Sequence, residues 1–227
     1  MKLLRVRASN YKNCCDNFTI DLVAKSKKTS EDKEYELQEI ADDLYVFNTS
    51  AFVGKNASGK TSAIELMECS YSILSEFRLE DKHYNYENVK LEIIFYHEDY
   101  IYKYTTILKA DSNLGNKANF TEQHIYKKKY YKSKLKEIYF EEGFEEILNL
   151  GELPEDTSIV FFILKKKVTR AIYFNCDGEG TDTYHLMFRA MKTYKLSKNI
   201  LSKVIKIFDD KIKSLEMVDE KHFKLIY

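Results

Sequence analysis

Gly54-Lys55-Asn56-Ala57-Ser58-Gly59-Lys60-Thr61 matches G-x-x-x-x-G-K-[ST] at every fixed position. The spacing carries a mechanism. Glycines let consecutive backbone N–H groups curl around an anion with no side chain in the way. Lys60 reaches the β- and γ-phosphates of a nucleotide, and Thr61 offers its hydroxyl to Mg²⁺. A helix starting at the loop adds the positive end of its dipole. Gly54, Lys55, Asn56, Ala57, Ser58, Gly59, Lys60, Thr61 and Ser62 are therefore the candidate nucleotide-binding residues. The expected cofactors are ATP and Mg²⁺, with Thr61 as the metal ligand.

The flanking segments have the order such a loop requires. Leu44-Tyr45-Val46-Phe47 and Ala51-Phe52-Val53 read as one buried strand with a polar middle, running into Gly54. After Thr61, Ile64, Met67, Tyr71 and Leu74 fall at helical spacing, and Ala63, Leu66 and Ile73 widen the apolar face. Strand, loop and helix follow one another.

Further out, Leu3–Ala8 and Phe18–Val23 alternate apolar and polar residues, which predicts an antiparallel pair joined by the turn at 9–13. Residues 24–43 read as a charged surface excursion. Val89–Tyr96 and Tyr100–Leu108 read as strands around a His97-Glu98-Asp99 turn, with a third strand in Glu122–Tyr131. Residues 132–150 read as short-helical. Ser158–Leu164 is a continuous apolar run consistent with a buried strand. Thr183–Thr193 and Ser197–Phe208 read as helices, and Lys211–Val218 with Lys221–Ile226 as a closing hairpin.

The chain has 227 residues, 44% of them hydrophobic, enough for one good core. Its 36 basic and 36 acidic residues balance, so no global field draws it to nucleic acid or membrane. Cys14, Cys15, Cys69 and Cys176 have neither zinc nor disulfide-framework spacing. Free thiols in a reducing cytoplasm are the simplest reading. The first residues lack the apolar run of a signal peptide, and no stretch reaches membrane-spanning length.

The N-terminal hairpin with its Asn-Tyr-Lys-Asn turn, then Ala-Phe-Val-Gly-Lys-Asn-Ala-Ser-Gly-Lys-Thr and an apolar helix, resembles the ABC-type P-loop ATPases of the RecF/SMC/OLD branch. The closest likeness is to bacterial AAA-type ATPases of the abortive-infection and OLD-like group, on Asn56, Ala57 and Ser58. The resemblance implies an α/β fold: a P-loop NTPase, an ABC-type ATPase lobe, with an antiparallel β-subdomain and added helices. It implies a single ATPase domain over 1–227, represented by its N-terminal part. Within it, 1–43 would be the hairpin and excursion, 44–79 the P-loop strand and helix, 88–131 the antiparallel β-subdomain, and 132–227 a helical segment and closing hairpin. It also implies that Asn10 and Lys12 approach the nucleotide, although Asn favours such turns for local reasons alone. A homodimer closing around nucleotide, an effector partner and a role in phage defence or DNA processing belong to the same implication.

Other motifs of that family are not evident. Leu196-Ser197-Lys198-Asn199 lacks the signature glycine. Ser158–Leu164 ends in lysines, Ile172-Tyr173-Phe174 is separated from Asp177, and Glu98-Asp99 reads better as a hairpin tip than as a metal carboxylate. Gln38 and Gln123 do not follow a core strand convincingly. No catalytic residue is assigned, and the expectation is ATP binding with little hydrolysis by this chain alone. The alternative is a nucleotide-gated interaction module that does not hydrolyse. A small-molecule kinase would need an arginine-rich lid, which the sparse arginines do not supply.

Two secondary features resemble sites. Tyr126–Lys132 interleaves lysine and tyrosine in the manner of a single-strand nucleic-acid track. A solvated strand guarded by lysines explains it as well, and Glu141, Glu142, Glu145 and Glu146 offset its charge. Asp177-Gly178-Glu179-Gly180 resembles a GTPase switch but has no guanine-reading partner motif.

Overall fold

The computed structural model describes residues 1–25, 29, 36–55, 58–79, 86–111, 117–165, 203, 211–218 and 223–226. They fall in two compact units, 1–171 and 172–227.

In the first unit, strands β1 (Lys2–Ser9) and β2 (Phe18–Asp21) form the expected antiparallel pair, with Val6 opposite Ile20. β3 (Leu37–Ala41) and β4 (Leu44–Phe47) form a separate two-stranded sheet. Helix α1 runs Lys60–Glu76. Three long strands follow, β5 (Val89–His97), β6 (Tyr100–Asp111) and β7 (Lys117–Lys129). A 3₁₀ turn at Lys132–Glu137, the short β8 (Glu145–Glu146) and the one-turn helix α2 (Phe161–Leu164) complete it. The main sheet has the order β2-β1-β5-β6-β7-β8, and every described pairing in it is antiparallel.

This corrects the expected α/β P-loop fold. The described residues contain no parallel sheet, and antiparallel strands dominate. One reason is local. The β5–β6 link is a two-residue turn in which Glu98 and Asp99 both take positive φ (46° and 65°), the geometry that matches strand twist and returns the chain antiparallel. The other is the fate of the expected 44–53 strand. β4 pairs antiparallel with β3 and bridges Val23 through Val46, so it stands outside the main sheet. After Phe47 the polar Asn48-Thr49-Ser50 end the ladder; Phe52 packs partly against the core, while Val53 is 92% exposed.

Strand alternation builds two cores, one on each face of the main sheet. Val6, Ala8, Leu91, Ile93, Phe95, Tyr104 and Ile125 form one cluster with Leu66, Ile73 and Leu74 of α1. Leu4, Ile94 and Ile101 join Val23, Leu44, Val46 and Ile138 in the other, so the β3–β4 hairpin covers part of the second face. The rest of that face is a groove of about 380 Å³ carrying Arg7, Lys90, Glu92, Thr105, Glu122 and His124. One solvated face is ordinary for an antiparallel sheet and foreign to a parallel one.

α1 is rotated relative to the expected stripe. Ala63, Leu66, Ser70, Ile73 and Leu74 are buried, whereas Ile64 is 54% exposed. Ser70 tolerates the apolar side because its Oγ donates to Leu66 O one turn back, at 2.8 Å.

Ser158–Leu164 is not a strand. From Phe161 on its amides bond locally, Phe161 N to Ser158 O and Leu164 N to Val160 O, closing a turn and α2. A short apolar run fits either structure by pattern alone. Gln123 holds this segment to the sheet: its Nε2 donates to Thr157 O, and its Oε1 accepts from Ile159 N and from the buried Tyr104 hydroxyl. Gln123 is thus a structural clamp.

Asp156 fastens the same segment. It is buried, accepts from Lys117 Nζ at 2.8 Å and from Thr157 Oγ1, and lies 3.8 Å from Arg78 Nε. The Lys117 hydrogen bond above all holds its carboxyl below the usual range. The folded value lies below the unfolded one of about 3.9, so the stabilisation is present at neutral pH and lost as pH falls below that. Acid unfolding followed by circular dichroism should therefore show a shallower loss of stability below about pH 4 in Asp156→Asn than in the parent.

The second unit contains strands β9 (Ser214–Met217) and β10 (Phe223–Ile226), the expected antiparallel closing hairpin, with Phe223 opposite Met217. The helices expected at 183–193 and 197–208 lie outside the described residues apart from Lys203, which is helical. No helix among the described residues is long and apolar enough to cross a membrane.

Candidate phosphate-binding pocket

The glycine-rich loop ends on α1. Gly59 takes φ 86° and ψ 12° as the residue before the helix, and Ala63 N donates to Gly59 O at 3.0 Å to start the first turn. No side chain caps this end, and its first turn carries no acidic residue. The amides of Lys60, Thr61 and Ser62 have no acceptor within the helix, which is the general condition of a helix start. Gly54 approaches the loop's return closely: a Cβ there would stand 2.4 Å from Ser58 Oγ. Lys55 O accepts from Ser58 N at 3.2 Å. Asn56 and Ala57, which carry much of the family resemblance, lie outside the described residues.

Gly59 is the position where backbone conformation matters most. An L side chain in this region is strained by about 1–2 kcal/mol. A Cβ at Gly59 meets nothing within 4 Å, so the strain is purely conformational. Gly59→Ala should lower stability by about that amount, read by urea denaturation, while Gly143→Ala (φ 81°) serves as a control of similar geometry away from the loop.

A pocket of about 530 Å³ opens in front of this helix end. Two segments line it: Ser58 to Ser62, and the tip of the β1–β2 hairpin with Lys12, Asn13, Cys14, Cys15 and Phe18. Lys60 folds across the loop, its Nζ donating to Gly54 O at 2.8 Å and to Lys55 O at 2.7 Å. Lys12 faces the same space and forms an ion pair with Glu65 of α1. Burial, and secondarily Cys15, raises the Cys14 thiol above its ordinary pKa, with a smaller opposing hydrogen bond to Ser62. Cys15 is exposed.

The structure therefore brings Lys12 to the loop residues but not Asn10. Asn10 sits one residue before the tip with φ 57°, and its Nδ2 donates to Glu87 O at 2.5 Å. It ties the hairpin to the segment before β5 and does not line the pocket. Asn13, Cys14, Cys15, Phe18 and Glu65 were not anticipated. Their place depends on a hairpin tip meeting a helix some fifty residues on, as in the Lys12–Glu65 pair, 53 positions apart. The one local signal was for Glu65, four residues after Thr61 and so on the same helix face.

Glu98, Asp99 and the Glu39, Asp42 and Asp43 group do not converge here. Glu98 and Asp99 make the β5–β6 turn, where Asp99 Oδ1 accepts from Tyr96 OH. Asp177 lies outside the described residues. Glu39, Asp42 and Asp43 cluster at the β3–β4 turn, but Lys132 Nζ stands 3.1 Å from both Asp42 and Asp43. In the lysine–tyrosine strip, Lys128 donates to Glu137 O and Phe140 O, and Lys127 and Lys129 lie over the rings of Tyr100 and Tyr131.

A scan of the chain against protein-family models finds no match, and a search of the curated proteins finds none either.

Proposed function

We propose that this chain binds Mg-ATP through Gly54–Thr61, a loop whose residues resemble those of the RecF/SMC/OLD ATPases. The observation that carries the reading is the meeting of three anion-binding features on one hollow. These are the uncapped N-terminus of a 17-residue helix, the Lys60 ammonium, and the Lys12 ammonium from the neighbouring hairpin. The hollow's volume of about 530 Å³ lies within the range of small-ligand sites. In this reading Lys60 leaves the Gly54 and Lys55 carbonyls for β/γ-phosphate oxygens. Thr61, exposed at the pocket, turns its hydroxyl to Mg²⁺. Gly59 and the following amides hold the anion.

The pocket lining among the described residues offers ammonium groups, thiols, hydroxyls and amides, but no carboxylate to orient an attacking water. Binding, with no hydrolytic residue assigned, is accordingly what is proposed for this chain. The same observation favours the second reading, a nucleotide-gated module that passes its state to an effector. Calorimetry of the chain with ATP and millimolar Mg²⁺ tests both. Saturable heat, weakened by chelating the metal and displaced by inorganic triphosphate, is expected. No heat with any nucleoside triphosphate would refute both.

A further inference from the structure

Both pocket ammonium groups are held by the protein's own oxygens, and the two holds differ in kind. Lys60 rests on two neutral carbonyls, Gly54 O and Lys55 O. Lys12 rests on a full negative charge, the Glu65 carboxylate. The second hold is partly open to water, the side chains being 30% and 20% exposed, so the pair is solvated and its partners can be exchanged. Lys12 also sits at the hairpin tip with φ 50°, and its pair with Glu65 ties this tip to α1 beside the Cys14–Ser62 hydrogen bond.

We infer that Glu65 is the pocket's own competing anion, which Lys12 exchanges for the terminal phosphates of the bound triphosphate. The inference rests on the Mg-ATP reading and adds to it a charge threshold. A triphosphate brings several negative charges beside an uncapped helix end and outcompetes one carboxylate. A monophosphate brings fewer and does so poorly. The exchange also moves one tie of the β1–β2 tip from α1 to the ligand, and leaves the Glu65 carboxylate one helical turn beyond Thr61.

The test is a double-variant cycle read by calorimetry, with Mg-ATP and with inorganic triphosphate as the two ligands. Glu65→Gln removes the competitor and should tighten binding about fivefold, the scale of one partly exposed ion pair. Lys12→Ala should weaken it. The combined variant should bind about tenfold more weakly than Glu65→Gln, because a charge-assisted phosphate contact is lost, and more weakly than the parent. Lys12→Arg keeps the charge and should stay close to the parent, which separates charge from any general effect of altering the turn. Thermal melts of each variant without ligand identify one that has not folded, and Lys12→Arg with Glu65→Gln then carries the comparison.

If Lys12 merely pins the hairpin, Glu65→Gln will weaken binding as Lys12→Ala does, and the combined variant will be no weaker than Glu65→Gln. That pattern overturns the exchange. Should it occur while Lys60→Ala still abolishes binding, only the exchange falls. Should the parent bind neither ligand, the exchange and the Mg-ATP reading fall together.

Discussion

Lys60→Ala is expected to reduce affinity for Mg-ATP by about ten- to a hundredfold, the equivalent of the roughly 1.5–3 kcal/mol carried by a hydrogen bond to a charged group. The direction follows from what Lys60 does. It is a half-buried cation whose only described partners are two carbonyls of its own loop, so a phosphate replaces neutral acceptors with charged ones. Stability should barely change, since the ammonium bridges an exposed loop and supports no core. A titration with a fluorescent ATP analogue, paired with a thermal melt, reads both quantities. Lys60→Arg should recover part of the loss, because the charge returns without the compact geometry. Equal affinity in Lys60→Ala and the parent would remove the loop from the account of this protein's function.

Leu66→Ala is expected to give the largest loss of stability, about 2–5 kcal/mol. Leu66 has no exposure and belongs to the cluster joining α1 to the main sheet. Shortening it leaves a cavity that neighbours on a rigid sheet fill only in part. The informative comparison is Ile64→Ala. Ile64 is a larger side chain than alanine by similar volume, yet it is 54% exposed, and its truncation should cost within about 0.5 kcal/mol. Urea denaturation of the two variants reads the rotation of the helix directly. Similar losses from both would mean that the helix faces the sheet as the apolar spacing alone suggests. Because α1 carries the loop on its first turn, a Leu66 variant should also weaken nucleotide binding at temperatures near its melting transition.

The strands legible from the chain were those with strong local signals. β1, β2, β5 and β6 alternate over several residues, and the Glu98-Asp99 turn fixes the β5–β6 pairing. β7 starts earlier than its pattern suggested, at Lys117, because pairing with β6 extends the ladder through residues whose own pattern is mixed. Three readings failed for a common reason. Val53 continues an apolar run yet stands in solvent, Ser158–Leu164 is apolar yet turns, and Ile64 has helical spacing yet faces out. In each case the apolar residue was identified correctly, but what it packs against was set by segments far along the chain. Asn10 and Lys12 make the same point at the pocket, two positions apart with one side chain turned to Glu87 and the other to Glu65.

The residue order alone marked the glycine-rich loop, the helix after it and the hairpins, because turn geometry and side-chain periodicity are written within a few neighbouring positions. Folding in three dimensions decided that the main sheet is antiparallel, that β4 pairs with β3 outside it, and that the hairpin tip bearing Lys12 stands over the start of α1. Those choices rest on burial and pairing between distant segments, whose free energy depends on the whole set of available partners and on no single stretch.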